Sequence, residues 1–394
     1  FTWRFYFCML QLFYRNGIIN NIHKKILVAI DLLICKMKKT ILYIIDSLGR
    51  GGAEVMLVST LKEINQSYNI IIVTLQPEIA FSKEELIYDK MFCLHIRYKK
   101  NIFLSVKKLK KIIRENNVSI VHSTLYWSVI VARLACGKKI PHVFSLSTIM
   151  TKGIYQHKWY SGYTKLLDRI TYKKNQALIS PTQNVLTDFD NSISIKGKNI
   201  VLYNFVKEEF FKNEIDYKIP SDKLKLVAVG NLKDVKNYQL LVDSFKSLKK
   251  LNVSIDIYGE GPDRNLLQKQ ISESDLPINL MGIHNKIFEV LPGYDAFVMC
   301  SFIEGFGISA AEAMTIGLPL LLSDIQPLRE ISQGNALFFD PYSPQSFVDV
   351  VLKILNGKSD FKNLSVNGKQ IAKENFTKEK YLKGLLKYYD EILE

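Results

Sequence analysis

The stretch EGFGISAAEAM, from Glu304 to Met314, sets two carboxylates and two glycines around the start of a helical pattern. Gly305 and Gly307 flank Phe306, so the backbone there can bend closely around a ligand. The amides of Phe306, Gly307 and Ile308 then point at it, at the start of a helix whose N-terminal end favours anions. Ser309 and Glu312 have the S-x-x-E spacing of a capping box, which gives Glu312 a structural reading. Glu304 has none, because a carboxylate in a glycine-rich loop ahead of the cap stabilises little. Carboxylates accept hydrogen bonds from vicinal hydroxyls and helix amides suit phosphate. A nucleotide sugar carries both groups.

Other segments offer matching chemistry. Gly51 and Gly52, in SLGRGGAEVML, let backbone approach a ligand at another helix start, although the G-x-G-x-x-G spacing of a dinucleotide site is absent. In VGNLKDVKN, Lys236 stands just before a helix, where the macrodipole prefers acids, so this cation calls for an anion nearby. His122 ends a strand-like run facing the cleft and is carried as a catalytic candidate, although a lone histidine of this kind is more often a structural hydrogen-bonding group than a catalyst.

These residues need elements to position them. Short β-rich runs alternate with helical segments: strands are expected at 41–46, 69–75, 119–123, 142–147 and 177–180, and again at 225–230, 253–259, 278–282, 296–300 and 319–323. The polar stretch 207–223 separates the two sets, and 394 residues with 47% apolar content suffice for two cores. The fold class is α/β, with two doubly wound parallel sheets facing a cleft at their strand C-terminal ends. A last helix, 378–393, has no strand after it to serve.

Five scattered cysteines without a CxxC pair fit reduced thiols, and no apolar run is long enough to span a bilayer, so a cytoplasmic protein is expected. Bases outnumber acids by more than two to one from 38 to 204, while acids hold a small majority from 205 onward. A basic first domain suits an anionic surface, and the helix carrying KKLKKIIR is expected to turn Leu104, Leu109, Ile112 and Ile113 inward and its lysines outward. Residue 1 is Phe, and Met37 opens MKKTILYIIDSL like a bacterial start, so residues 1–36 are expected to be a non-native or peripheral extension. The other reading of that segment is an aromatic, basic membrane arm built on Trp3, Phe5, Tyr6, Phe7 and Phe13.

The E-x7-E run from Glu304 to Glu312 with its continuation EAMTIGLPLLLSDIQPLREI closely resembles the signature of retaining GT-B glycosyltransferases of family 4. GGAEVML, VAVGNLKDVKNYQLLVDSF, IYGEGPDRNLL and VLYNFV resemble the same family, in its order, from about Met37 to the last helix. The resemblance implies an acceptor-binding Rossmann-like domain over 37–206, a nucleotide-sugar-binding one over 207–376, and a helix at 377–394 crossing back onto the first. It assigns Glu312 to the ribose hydroxyls, Glu304 to the donor sugar and Lys236 to the diphosphate. Amides of Phe306 to Ser309 would meet sugar and phosphate oxygens, Gly51 and Gly52 would lie under the diphosphate, and backbone near Ile283 would meet the base. Many members have Arg at Asn231, a charge that Lys233 is placed to replace; many have His at Thr124; Phe205 and Lys207 stand where Gly and Asp often follow the strand.

The function implied is transfer of a sugar, with retention, from a nucleotide-diphosphate sugar to a saccharide or lipid-linked acceptor in bacterial surface-polysaccharide synthesis, with peripheral contact to anionic membrane. No cofactor or metal is expected, since no DxD pair occupies a strand-end loop of the first domain, and no nucleic acid partner. A GT-B-like sugar-nucleotide epimerase or a non-catalytic nucleotide-binding protein would share the donor site without needing an acceptor.

Overall fold

Runs such as TILYII and NIIIVT are apolar on both faces, which suits strands covered by helices on both sides of a parallel sheet. In the computed structural model, which describes residues 38–96, 101–152, 161–216 and 223–394, these runs form the centre of the first of two sheets. The 1–36 extension, part of the 207–223 linker, Tyr155, Trp159 and Tyr160 lie outside the described residues.

The first sheet holds β1 (Thr40–Ile45), β2 (Asn69–Thr74), β3 (Lys90–Cys93), β4 (Val118–Thr124), β5 (His142–Ser145), β6 (Gln176–Ser180) and β7 (Asn199–Val201). All pair parallel in the order β3-β2-β1-β4-β5-β6-β7. Its helices are α1 (Gly52–Ile64), α2 (Ile102–Glu115), α3 (Tyr126–Cys136), α4 (Ser161–Thr171) and α5 (Gln183–Ile193). After a short α6 (Glu208–Lys212), the second sheet holds β8 (Leu224–Val229), β9 (Val253–Tyr258), β10 (Ile278–Gly282), β11 (Ala296–Met299), β12 (Leu320–Ser323) and β13 (Leu337–Phe339), again parallel, in the order β10-β9-β8-β11-β12-β13. With it go α7 (Tyr238–Leu248), α8 (Arg264–Ser274), α9 (Ile287–Val290), α10 (Ile308–Ile316), α11 (Gln326–Ser332), α12 (Pro344–Leu355), α13 (Phe361–Asn375) and α14 (Lys378–Leu393).

Three strands escape the sequence pattern: β3, β7 and β13. Each has only three or four residues and lies at a sheet edge, so it neither needs nor shows a long apolar run. The inward face of α2 also differs from expectation. Ser105, Leu109 and Ile113 form its buried seam, and Leu104, rotated about 100° from Ser105, is 51% exposed.

The last helix packs on the first domain. Leu385, Tyr388 and Tyr389 of α14 enter the core built by Ile41, Tyr43 and Ile120, and the Tyr388 hydroxyl donates to the Leu178 carbonyl at 3.2 Å. The chain thus crosses between domains twice, and the crossings touch where the Val206 amide donates to the Phe376 carbonyl at 2.8 Å.

The Tyr389 hydroxyl lies 2.9 Å from that of Tyr43 and 2.5 Å from Nδ1 of His122, all three buried. Removing it strands two buried polar groups, each costing about 1–3 kcal/mol. Tyr389→Phe is therefore expected to lower the calorimetric melting temperature by several degrees with the ring packing kept. An unchanged midpoint would show that the hydroxyl does not tie α14 to the sheet.

Candidate active site

In each sheet the chain reverses its direction of winding between two central strands, β1 and β4 in the first and β8 and β11 in the second, and such switch points open a crevice at the strand C-terminal ends. The loops leaving these four strands face one another across a cavity of about 440 Å3. Gly51, Gly52, His122, Asn231, Lys236, Glu304, Gly305, Phe306, Gly307, Ile308, Ser309 and Glu312 all line it. Lys233 and Ile283 do not; both side chains are exposed outside this lining.

Lys236 closes a short 3-10 turn after β8, and its Nζ lies 2.5 Å from Oε1 of Glu304 in the loop after β11. Ser301 donates to the same oxygen at 2.7 Å. The pair is mostly withdrawn from water, with 24% and 11% of the two side chains exposed, so each charge holds the other in place. Two ammonium protons remain for a ligand anion. The backbone beneath is zipped together: the Phe302 amide donates to the Val235 carbonyl at 3.0 Å and Cys300 Sγ to the Lys236 carbonyl at 3.2 Å.

The capping box expected of Ser309 and Glu312 does not form. Gly307, at φ +90°, is the N-cap of α10, so Ser309 falls inside the first turn and its hydroxyl donates to the Val229 carbonyl at the end of β8, 3.0 Å away. Glu312 is thereby released to line the cleft. Its burial pushes the carboxyl up to about 7, and the Lys207 ammonium offsets part of that rise. Lys207 therefore acts on the site through its field.

Gly52 opens α1, and a Cβ built there would meet nothing within 4 Å, so the fold itself does not demand glycine at this helix start. Open space over a helix N-terminus suits close approach of an anionic ligand. Arg50, beside it, is a cleft residue that the sequence reading passed over. Its guanidinium donates to Glu85 at 3.0 Å and to the Ala80 carbonyl at 3.1 Å and lies 5.0 Å over the Phe81 ring. With Asn231 neutral and Lys233 outside the lining, Arg50 is the cation facing Lys236 from the other wall. An arginine within a glycine-rich strand-end turn was the available signal.

His122 has no free lone pair. Nδ1 meets the Tyr389 hydroxyl and Nε2 lies 2.7 Å from Ser145 Oγ, while burial holds its pKa down at about 3, so the ring stays neutral. In this arrangement it joins β4, β5 and α14.

Because burial raises the Glu312 pKa, the native state holds that proton more tightly than the unfolded chain does. The group's contribution to stability therefore falls as pH rises from the ordinary glutamate range to about 7 and is constant above it. Glu312→Gln should raise the melting temperature of the free protein by a few degrees at pH 8, and the gain should shrink as pH falls below 7. A gain that does not change with pH would show that the carboxyl is not ionised against its surroundings.

Residues 50–210 match the family described as Glycosyltransferase Family 4, and residues 209–371 match Glycosyl transferases group 1. The O-antigen biosynthesis glycosyltransferase WbnH of Escherichia coli is 26% identical over 310 residues, covering 77% of this chain and 86% of that protein. The N-acetylgalactosamine-N,N'-diacetylbacillosaminyl-diphospho-undecaprenol 4-alpha-N-acetylgalactosaminyltransferase of Campylobacter jejuni is 23% identical over 291 residues, covering 71% and 79%. The structure of Anabaena Alr3699/HepE in complex with UDP superposes with a TM-score of 0.76 at 17% identity, covering 89% of this chain and all of that one. Two parallel-sheet domains, a cleft between their switch points and matches that together run through both domains have one meaning: the chain belongs to the GT-B glycosyltransferases of the family 4 type.

Proposed function

We propose that the protein transfers a sugar, with retention of anomeric configuration, from a nucleotide-diphosphate sugar to a saccharide or lipid-linked acceptor in the assembly of a bacterial surface polysaccharide. The observation that carries this reading is the meeting of Glu304, Glu312, Lys236 and the N-termini of α1 and α10 in one cleft. Glu312 accepts from the ribose hydroxyls, Glu304 holds the donor sugar, and the diphosphate takes the free protons of Lys236 and the amides at the two helix starts.

As the glycosidic bond to the diphosphate breaks, charge grows on the leaving oxygen, where preorganised donors stabilise it most. With no separate base among the described residues of the cleft, the acceptor attacks from the face the diphosphate is leaving and its proton passes to a departing phosphate oxygen. The names of the E. coli and C. jejuni relatives, one an O-antigen enzyme and one acting on a diphospho-undecaprenol glycan, support a lipid-linked acceptor. The UDP of the Anabaena complex makes uridine diphosphate the first nucleotide to test.

Nucleoside diphosphates and their sugars are expected to raise the melting temperature, and Glu304→Gln should cut turnover by about 100- to 1,000-fold with nucleotide binding kept. Proton NMR of the product should show the donor's anomeric configuration. Inversion, or full activity in Glu304→Gln, would end this reading.

Contact with membrane is the second element of the proposal. Phe103 (88% exposed) and Leu104 on α2 stand beside Lys107 and Lys111, and Leu166 and Ile170 are exposed on α4, which packs on the other side of α3. Apolar side chains among lysines match an anionic bilayer surface. The protein should float with phosphatidylglycerol vesicles and much less with phosphatidylcholine, and Phe103→Ser/Ile170→Ser should weaken flotation. Equal recovery with both lipids would remove this element.

A further inference from the structure

A second crevice between the domains is as large as the donor cleft, at about 450 Å3, within the range of small-molecule sites. The two are divided where Gly305 meets the first domain: a Cβ on Gly305 would fall 2.2 Å from the Ser147 carbonyl. On the far side lies a platform of Phe302 and Tyr342, stacked at 5.0 Å with 27° between their rings. Tyr342 is 73% exposed, so its ring is open to a ligand.

The platform is rigid and belongs to the active site's own scaffold. Phe302 is two residues from Glu304, and its amide is fixed to Val235. The Tyr342 amide donates to Asp340 at 2.9 Å, and Asn237, next to Lys236, donates from its side chain to the Pro341 carbonyl at 2.8 Å. Facing it, α5 presents Asn184, Thr187, Asp188 and Asn191, whose spacing of three and four residues puts them on one side of the helix.

The chemistry of this lining selects among ligands. Its carboxylates are engaged within the chain: Asp188 accepts from Thr151, Asp324 pairs with Arg329, and Asp340 caps its own turn. A metal ion or an organic cation would meet carboxylates already holding hydrogen-bond donors or an arginine, and among the described lining residues a phosphate would find Lys152 as the one cation. What remains is a ring face opposite amides and hydroxyls. Sugar rings carry partly positive C–H groups on their faces and hydroxyls around their edges, so they stack on the negative face of an aromatic ring while amides take the hydroxyls.

We infer that this crevice binds a saccharide, seated on Tyr342 and Phe302 and bonded at its edge by the amides of α5. Resting on the proposed transferase function, the saccharide is the glycan arm of the acceptor, held beside the donor-sugar end of the cleft, so the enzyme prefers an acceptor that already carries several sugars.

The test uses an immobilised array of bacterial O-antigen and capsular oligosaccharides, probed with the full chain and with Tyr342→Ala and Tyr342→Phe. Wild type and Tyr342→Phe should bind the same glycans, and Tyr342→Ala should bind them about three- to tenfold more weakly, the worth of one aromatic contact. Thermal stabilisation by uridine diphosphate, measured on the same samples, should be equal in all three. No glycan retained by wild type, or equal retention by Tyr342→Ala, overturns the inference. Absence of stabilisation by any nucleoside diphosphate counts instead against the donor reading, while the array still decides whether the platform takes sugar.

Discussion

The contact between the Lys236 ammonium and the Glu304 carboxylate spans 68 residues of sequence and is the point to which the second domain is built. It exists because β8 and β11 are neighbours in a parallel sheet, so the loops leaving their C-terminal ends emerge side by side. Hydrogen bonds from the Phe302 amide to the Val235 carbonyl and from the Cys300 thiol to the Lys236 carbonyl then fix the two loops. In a partly dry cleft either charge alone would be costly, and together they hold each other in position until a ligand arrives. A diphosphate can then engage the ammonium without first ordering it, which is the structural content of preorganisation.

Other features of the cleft work against stability. Glu312 is a carboxylate whose burial raises its pKa to about 7, with Lys207 giving partial relief. Leu125, at φ 72°, takes a conformation that costs a non-glycine residue energy just where β4 turns into α3 beside the cleft. Both are understandable as the expense of an open, polar site, since stability not needed for folding can be given up for function. His122 shows the opposite case. A residue type associated with catalysis is neutral, bonded through both nitrogens and part of the joint that seats α14.

Legibility in the sequence followed burial. Central strands such as β1 and β2 announce themselves because both faces are covered, whereas β3, β7 and β13 are short edge strands whose existence depends on a neighbour's free hydrogen bonds. Most of the lining of the first cleft was readable because its parts cluster in a few loops, each with a glycine or a charge in an unusual place. The register of α10 was not readable: S-x-x-E fits a cap equally well two residues after the true helix start, and the backbone of Gly307 decides between them. The second crevice was hidden for a different reason. The crevice is assembled from loops and a helix face of both domains, and no local pattern reports that Tyr342 stacks on Phe302, forty residues earlier.

The two crevices are also mechanically linked. The domains are joined by crossings that touch at Val206 and Phe376, close enough to serve as one hinge, while the mouth is held by a few polar contacts. Thr182 donates to the Gly305 carbonyl at 3.0 Å, and the Glu330 carboxylate of α11 takes the Gln183 and Asn184 amides at the start of α5, at 2.7 and 3.2 Å. A carboxylate at a helix N-terminus is favourable for the same reason that phosphate is at α1 and α10, yet each such bond is worth only about 1 kcal/mol and is made near water. Opening leaves most of the apolar packing in place, since the cores lie largely within each domain and Val206 and Tyr203 pack across at the crossing itself. α5 is both the helix that Glu330 holds and the wall that faces Tyr342, so a domain movement that displaced α5 from Glu330 would also move that wall. If both crevices take the ligands proposed for them, a movement of this one helix would act on both.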